Sequence, residues 1–263
     1  MIIQVGNTRL NVEDRGGGTP LLLIHGFPLN LEMWRPQIES LSSKYRVIAI
    51  DLRGHGQSPP TPGPYSMDLL ADDCAAVLVA LGIEAPVAVC GLSMGGYISF
   101  ALYRRYPQLF SGLILAATRA GADTSQARSN REKAIVDTIE LGARPVLDTM
   151  LKILLAPSTY QTRPDLVKNL EEILSPTSEE GIVASLEGMK ERPDSTGMLG
   201  QITVPTLIFH GADDQIINLT ESEIIQSGIP NSRLEIIPDA GHMVNLEQPG
   251  IFNNSTVNFL ASI

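Results

Sequence analysis

Short, mostly unbroken apolar runs recur along the chain at residues 21–24, 47–50, 87–90, 113–116, 206–209 and 234–237. A strand with one solvated face alternates polar and apolar positions. An unbroken run predicts a strand buried on both faces, as in a parallel sheet. Helical periodicity fills the gaps. Residues 67–81 place Leu70, Cys74, Val77, Leu78 and Leu81 on one stripe, and 94–106 and 247–261 read as further helices. Alternating strand and helix predicts an α/β fold with helices on both faces of the sheet. Residues 2–5 and 8–13 meet at Gly6-Asn7, which predicts an antiparallel hairpin at the sheet edge and brings the sheet to about eight strands.

The alternation stops at residues 119–195, where no strand-like run occurs. Helical stripes replace it: Ile135 and Ile139; Val146, Leu147, Met150, Leu151 and Leu154; Leu166, Leu170, Ile173 and Leu174; Ile182, Val183, Leu186 and Met189. Pro157, Pro164, Pro176 and Pro193 punctuate them, and Thr177 with Glu180 fits a capping box opening the last helix. Of these 77 residues 23 are charged, so one side of the segment faces water. The expected organisation is a core of residues 1–118 and 196–263 carrying an inserted helical cap, 119–195.

At 263 residues, 43% hydrophobic and 18% charged, the chain is globular, and one α/β domain with an insertion accounts for its length. The net charge is −10 with no lysine or arginine run, which argues against gripping a phosphate backbone; no nucleic-acid partner is expected. Two cysteines, Cys74 and Cys90, make neither a disulfide framework nor a zinc cluster, and no metal is expected. Gly16-Gly17-Gly18 precedes a strand and is not a phosphate loop. The N-terminus lacks a basic region followed by an apolar one, and no apolar run reaches the ~18 residues of a membrane span. A cytoplasmic protein without a membrane partner is expected.

Gly91-Leu92-Ser93-Met94-Gly95 is a G-x-S-x-G pentapeptide between the run 87–90 and the helix 94–106. A serine on such a turn is strained, and the flanking glycines relieve crowding. Its hydroxyl is directed to the carboxyl end of the sheet, where open α/β sheets bind ligands.

These residues resemble the α/β-hydrolase superfamily, in its capped esterase and enol-lactonase branch. His25-Gly26-Phe27-Pro28 is similar to that family's oxyanion loop. Asp51-Leu52-Arg53-Gly54-His55-Gly56-Gln57-Ser58 is similar to its D-x-R-G-x-G-x-S loop. His210-Gly211-Ala212-Asp213-Asp214 resembles its acid loop, and Ala240-Gly241-His242 its histidine loop. The five motifs stand in family order over nearly the whole chain. The resemblance implies an order of nucleophile, acid and base. Ser93 is the nucleophile and His242, the only histidine after the acid loop, is the base. The family's G-x-x-D spacing from Gly211 selects Asp214 as the acid. Asn218 stands where the family often has proline, which leaves Asp213 open. Backbone N–H groups of Phe27 and Met94 are the implied oxyanion hole. His25, His55 and His210 read as structural.

The implied reaction is hydrolysis of a small to medium carboxylic ester or lactone through an acyl-enzyme, without a cofactor. Gly26, Leu29, Trp34, Met150, Leu154 and Met243 are candidate pocket residues, although the helical spacing of Met150, Leu154 and Leu155 favours packing within the cap. A serine at the elbow argues against the family's dehalogenases and epoxide hydrolases, which carry aspartate there. Other readings stay open: a C–C bond hydrolase, a cofactor-free haloperoxidase or perhydrolase, and a small-molecule receptor without turnover.

Overall fold

Eight strands form one sheet: β1 (Ile2–Val5), β2 (Thr8–Arg15), β3 (Pro20–Ile24), β4 (Arg46–Ile50), β5 (Val87–Leu92), β6 (Phe110–Ala116), β7 (Thr206–Gly211) and β8 (Ser232–Ile237). The computed structural model describes residues 1–263. The spatial order is β1-β2-β4-β3-β5-β6-β7-β8. β1 pairs antiparallel with β2, and β2 with β4, and every later pair is parallel. The edge hairpin and the parallel remainder match the sequence reading.

Successive residues of the central strands enter two cores on opposite faces. Leu22 and Ile24 of β3 point to one and Leu21 and Leu23 to the other; in β5, Val87 and Val89 oppose Ala88 and Cys90. Both faces are dry, so both sets of positions are apolar and the runs are continuous. Each fully buried Leu or Ile contributes about 1.5–3 kcal/mol of transfer free energy.

Before β6 lie α1 (Arg35–Leu41), α2 (Met67–Ala80) and α3 (Met94–Arg105). Between β6 and β7 come α4 (Ser125–Leu141), α5 (Arg144–Leu151), α6 (Thr159–Thr162), α7 (Pro164–Leu174) and α8 (Glu179–Lys190). After β7 follow α9 (Leu219–Gly228), α10 (Val244–Glu247) and α11 (Pro249–Leu260). Core residues of α2 and α3 pack with Leu22 and Ile24, while those of α1 and α11 pack with Leu21 and Leu23. No helix is long and apolar enough to cross a membrane.

The predicted capping box at Thr177 is corrected. Ser178, extended at φ −73 and ψ 152, caps α8 by accepting from the Gly181 N–H. Thr177 instead donates to the Pro28 carbonyl at 2.6 Å, tying the insertion to the loop after β3. A hydroxyl one residue further from the helix cannot reach its first turn, and Thr177 finds a tertiary acceptor.

Helix α8 docks on the core through bare backbone. A Cβ on Gly181 would strike the Gly54 carbonyl, and one on Gly188 would strike the Tyr65 carbonyl. Between them the Tyr65 N–H donates to the Ala184 carbonyl at 2.8 Å, outside the helical ladder.

Candidate active site

The chain leaves β3 on one side for β4, then crosses through α2 to β5 on the other side. Neighbouring connections therefore diverge at the carboxyl ends of β3 and β5, the switch point where open sheets leave a crevice. The loop at Gly26 and Phe27 follows β3, and Ser93 follows β5.

Ser93 has φ 55 and ψ −112, a conformation that favours glycine. Its backbone is fixed on both sides. The Ser93 N–H donates to Ala116 at 2.9 Å, and its carbonyl accepts from Gly96 at 2.9 Å and from Thr118 Oγ1 at 2.8 Å. The turn is tight enough that a Cβ at Gly91 would strike the Gly95 carbonyl, and one at Gly95 the carbonyl of Ile24. This geometry supplies the physical reason for glycine two residues either side of the serine.

His242 ends the loop after β8. Its Nδ1 donates to Asp214 Oδ2 at 2.9 Å, which leaves Nε2 for a substrate-side proton. The two side chains are 2% and 0% exposed, so their interaction is little screened. Asp214 Oδ1 accepts from the N–H groups of Ile216 at 2.8 Å and Ile217 at 3.0 Å. Burial opposes the Asp214 charge, yet His242 and these two amides outweigh it and hold the carboxyl below its usual pKa. Of the two aspartates left open by the sequence, Asp214 meets His242. Asp213 is exposed and its backbone N–H donates to the Ala240 carbonyl at 2.9 Å.

Met94 opens α3, so its N–H has no helical acceptor, and the Phe27 N–H donates to no protein group. A Cβ on Gly26 would lie 3.3 Å from the Ser93 Cβ, so the segment carrying the Phe27 amide runs beside the serine. The positive end of α3 adds to the potential there. Together these donors suit an oxygen that gains negative charge.

Ser93 and His242 share one cavity of about 550 Å³, whose other walls include Phe27, Tyr97, Arg119 and Ile216. Helices α4, α5 and α8 cover it, with Ala134, Val146, Met150, Leu186 and Met189 among the lining residues. Ser93 makes no hydrogen bond to His242 in this structure.

Of the expected pocket residues, Met150 lines this cavity, whereas Leu29, Trp34, Leu154 and Met243 are fully buried in the core instead. Trp34 packs on Phe252 of α11 with ring centroids 6.0 Å apart. Leu154 and Met243 are joined through their backbones, the Met243 N–H donating to the Leu154 carbonyl at 3.0 Å. Gly26 stands beside Ser93 behind the cavity wall. The reason is that helical spacing is read past the end of the helix: α5 stops at Leu151, and the turn after it carries Leu154 into the core while Met150, still on α5, stays at the cavity.

The other three histidines are internal. His25 Nε2 accepts from the Leu52 N–H at 3.0 Å, so Nδ1 donates to the Gly26 carbonyl. Burial lowers its pKa to about 4. His55 donates from Nδ1 to the Arg53 carbonyl; burial first, then the neighbouring His25, bring its pKa to about 3. His210 contacts Ser222 Oγ at 3.0 Å, and burial lowers its pKa too. The Asp51 carboxylate accepts from the amides of Leu31 and Gln57 and from the Asn11 side chain, tying its own loop to the segment after β3 and to β2.

Glu247 escaped the sequence reading. It is 2% exposed, accepts from Ala156 N–H at 2.9 Å and Thr159 Oγ1 at 2.6 Å, and with its second oxygen from Gly241 N–H at 2.7 Å. Burial raises its pKa against the pull of these donors. Its one sequence signal is a lone charge in the apolar stretch after His242.

A family model described as alpha/beta hydrolase fold matches residues 19–249. Among curated proteins, 3-oxoadipate enol-lactonase 2 of Acinetobacter baylyi is 33% identical over 235 residues, 89% of this chain and 86% of that protein. Among solved structures, a thermophilic esterase from Thermogutta terrifontis, with malate bound, superposes with a TM-score of 0.94 at 38% identity, covering 97% of this chain and 94% of that one. The enol-lactonase of Burkholderia xenovorans LB400 superposes with a TM-score of 0.92 at 26% identity, covering 99% and 100%.

Proposed function

The chain belongs to the α/β-hydrolase fold family, and from that membership we propose that it is a serine hydrolase of carboxylic esters or lactones. The observation that carries the reading is the convergence of Ser93, the Asp214-backed His242 and Phe27 on a single cavity, with the acceptorless Met94 amide next to Ser93 in the chain. An esterase and an enol-lactonase among its relatives support the ester and lactone class.

The chemistry follows from the groups. His242 Nε2 takes the Ser93 hydroxyl proton as Oγ bonds to the substrate carbonyl carbon. The carbonyl oxygen becomes an anion held by the Phe27 and Met94 N–H groups. Asp214 stabilises the imidazolium and fixes its tautomer. The C–O bond to the leaving group breaks, and the imidazolium returns its proton to that oxygen. Water then gives a proton to His242 and its oxygen to the acyl carbon, Ser93 is reprotonated, and a carboxylic acid leaves. In a lactone the leaving oxygen stays on the product.

The test is turnover of graded p-nitrophenyl esters and lactones by the wild type and by Ser93→Ala. Loss of turnover in the variant supports the proposal; wild-type rates in the variant overturn it.

A further inference from the structure

We infer that Arg119 marks the seat of a carboxylate on the substrate, so that the preferred ester or lactone is an anion. The inference rests on the hydrolase reading above and names its substrate class. Arg119 lies just beyond β6 and lines the same cavity as Ser93 and His242. It is half-buried and forms no ion pair. Its single hydrogen bond runs from Nη2 to the Ile216 carbonyl at 3.3 Å, and its Nε is buried without an acceptor.

A half-buried guanidinium with one long hydrogen bond and no ion pair leaves most of its N–H groups without a partner, and such a group calls for one. The other charges on this cavity already have theirs. Arg131 meets Asp123 at 2.5 Å, and Lys133 meets Asp137 at 2.5 Å. Arg119 is therefore the uncompensated cation of the cavity, in a chain whose net charge is −10. Its spare N–H groups lie in the plane of one guanidinium and match the two oxygens of a carboxylate. A neutral acyl chain of similar shape offers them nothing. Arg119 and Ser93 line one cavity, so a single acid chain can offer its carboxylate to the first and its ester carbonyl to the second.

The full chain is assayed with mono-p-nitrophenyl glutarate and with p-nitrophenyl valerate, which differ by a carboxylate in place of a methyl group. Wild type should prefer the glutarate ester in kcat/KM. Arg119→Gln should lose roughly 10- to 100-fold on it, mainly through KM, and change less than about threefold on the valerate. Arg119→Lys should recover part of the loss. Equal losses on both esters, or none on either, overturn the inference, and intact valerate turnover shows that the variant is folded. Calorimetric titration with glutarate separates this inference from the hydrolase reading. Glutarate binding that weakens in Arg119→Gln supports the carboxylate seat even if neither ester is cleaved, in which case the hydrolase reading falls. Valerate cleavage with glutarate binding that is absent or indifferent to Arg119 removes the carboxylate seat and leaves the hydrolase.

Discussion

Glu247 accepts the Gly241 N–H at 2.7 Å, and Gly241 is the residue before His242. The other carboxylate oxygen accepts from Ala156 and Thr159, in the segment between α5 and α7. One buried side chain thus joins the histidine loop to the insertion. Glu247→Ala strands two buried amides and a hydroxyl. It should cost about 3 kcal/mol or more, read as a lowered urea midpoint. Turnover should fall with it, since the His242 loop loses an anchor. An unchanged midpoint would contradict the role.

Asp214→Asn should lower kcat roughly 10⁴-fold, because an amide stabilises neither the imidazolium nor the required tautomer. Asp213→Asn should leave kcat within about twofold, as surface changes remote from partners do little. The reverse pattern in steady-state assays would move the acid to Asp213.

The positive φ of Ser93 predicts a stability ranking among inactive variants. Ser93→Ala keeps the Cβ and its strain, whereas Ser93→Gly removes it. The glycine variant should be more stable than the alanine variant by about 1 kcal/mol in chemical denaturation. Equal stabilities would mean that the turn holds no strain.

His25 and His55 predict a stability loss on mild acidification. Above about pH 6.5 both are neutral in folded and unfolded chains and contribute no pH dependence. Below it the unfolded chain takes up protons first, since the folded values are about 4 and about 3. Stability therefore falls as pH drops from about 6.5 towards 4, with each histidine adding a slope of up to about 1.4 kcal/mol per pH unit. Urea unfolding at pH 7.5, 6 and 5 measures it, and a flat profile rules it out.

Gly188→Ala and Gly181→Ala press a methyl group on the carbonyls of Tyr65 and Gly54. Each should destabilise the protein by about 1–3 kcal/mol despite the better helix propensity of alanine. Differential scanning calorimetry of each variant gives the sign.

What was legible in the sequence follows the range of the interactions. The central strands were readable because both their faces are dry, whereas β8, expected from its apolar run to be buried on both faces, is an edge strand with Ile236 exposed. The elbow was readable because Gly91 answers a contact within its own turn, although Gly95 answers the Ile24 carbonyl of β3. The His242 and Asp214 positions came from motif resemblance, and their contact joins residues 28 apart. Glu247 stayed hidden because its partner Ala156 lies 91 residues away. Trp34 and Leu154 show the same limit. Periodicity says that a face is apolar, and not whether that face meets a core or a cavity. Thr177 and Ser178 are adjacent hydroxyls, and only the path of the chain decides which one caps α8.

The glycine seam beneath α8 separates two tasks that many folds assign to the same side chains. Attachment of α8 runs through backbone at Gly54, Tyr65, Gly181, Ala184 and Gly188, and none of the three glycines has room for a Cβ. The cavity wall is cut mostly by α4 and α5, away from that seam. Substitutions at Ala134, Val146 or Met150 can reshape the chamber while the mounting stays as it is. A lineage, or a designer, can retune selectivity here without first re-engineering the joint that carries the roof.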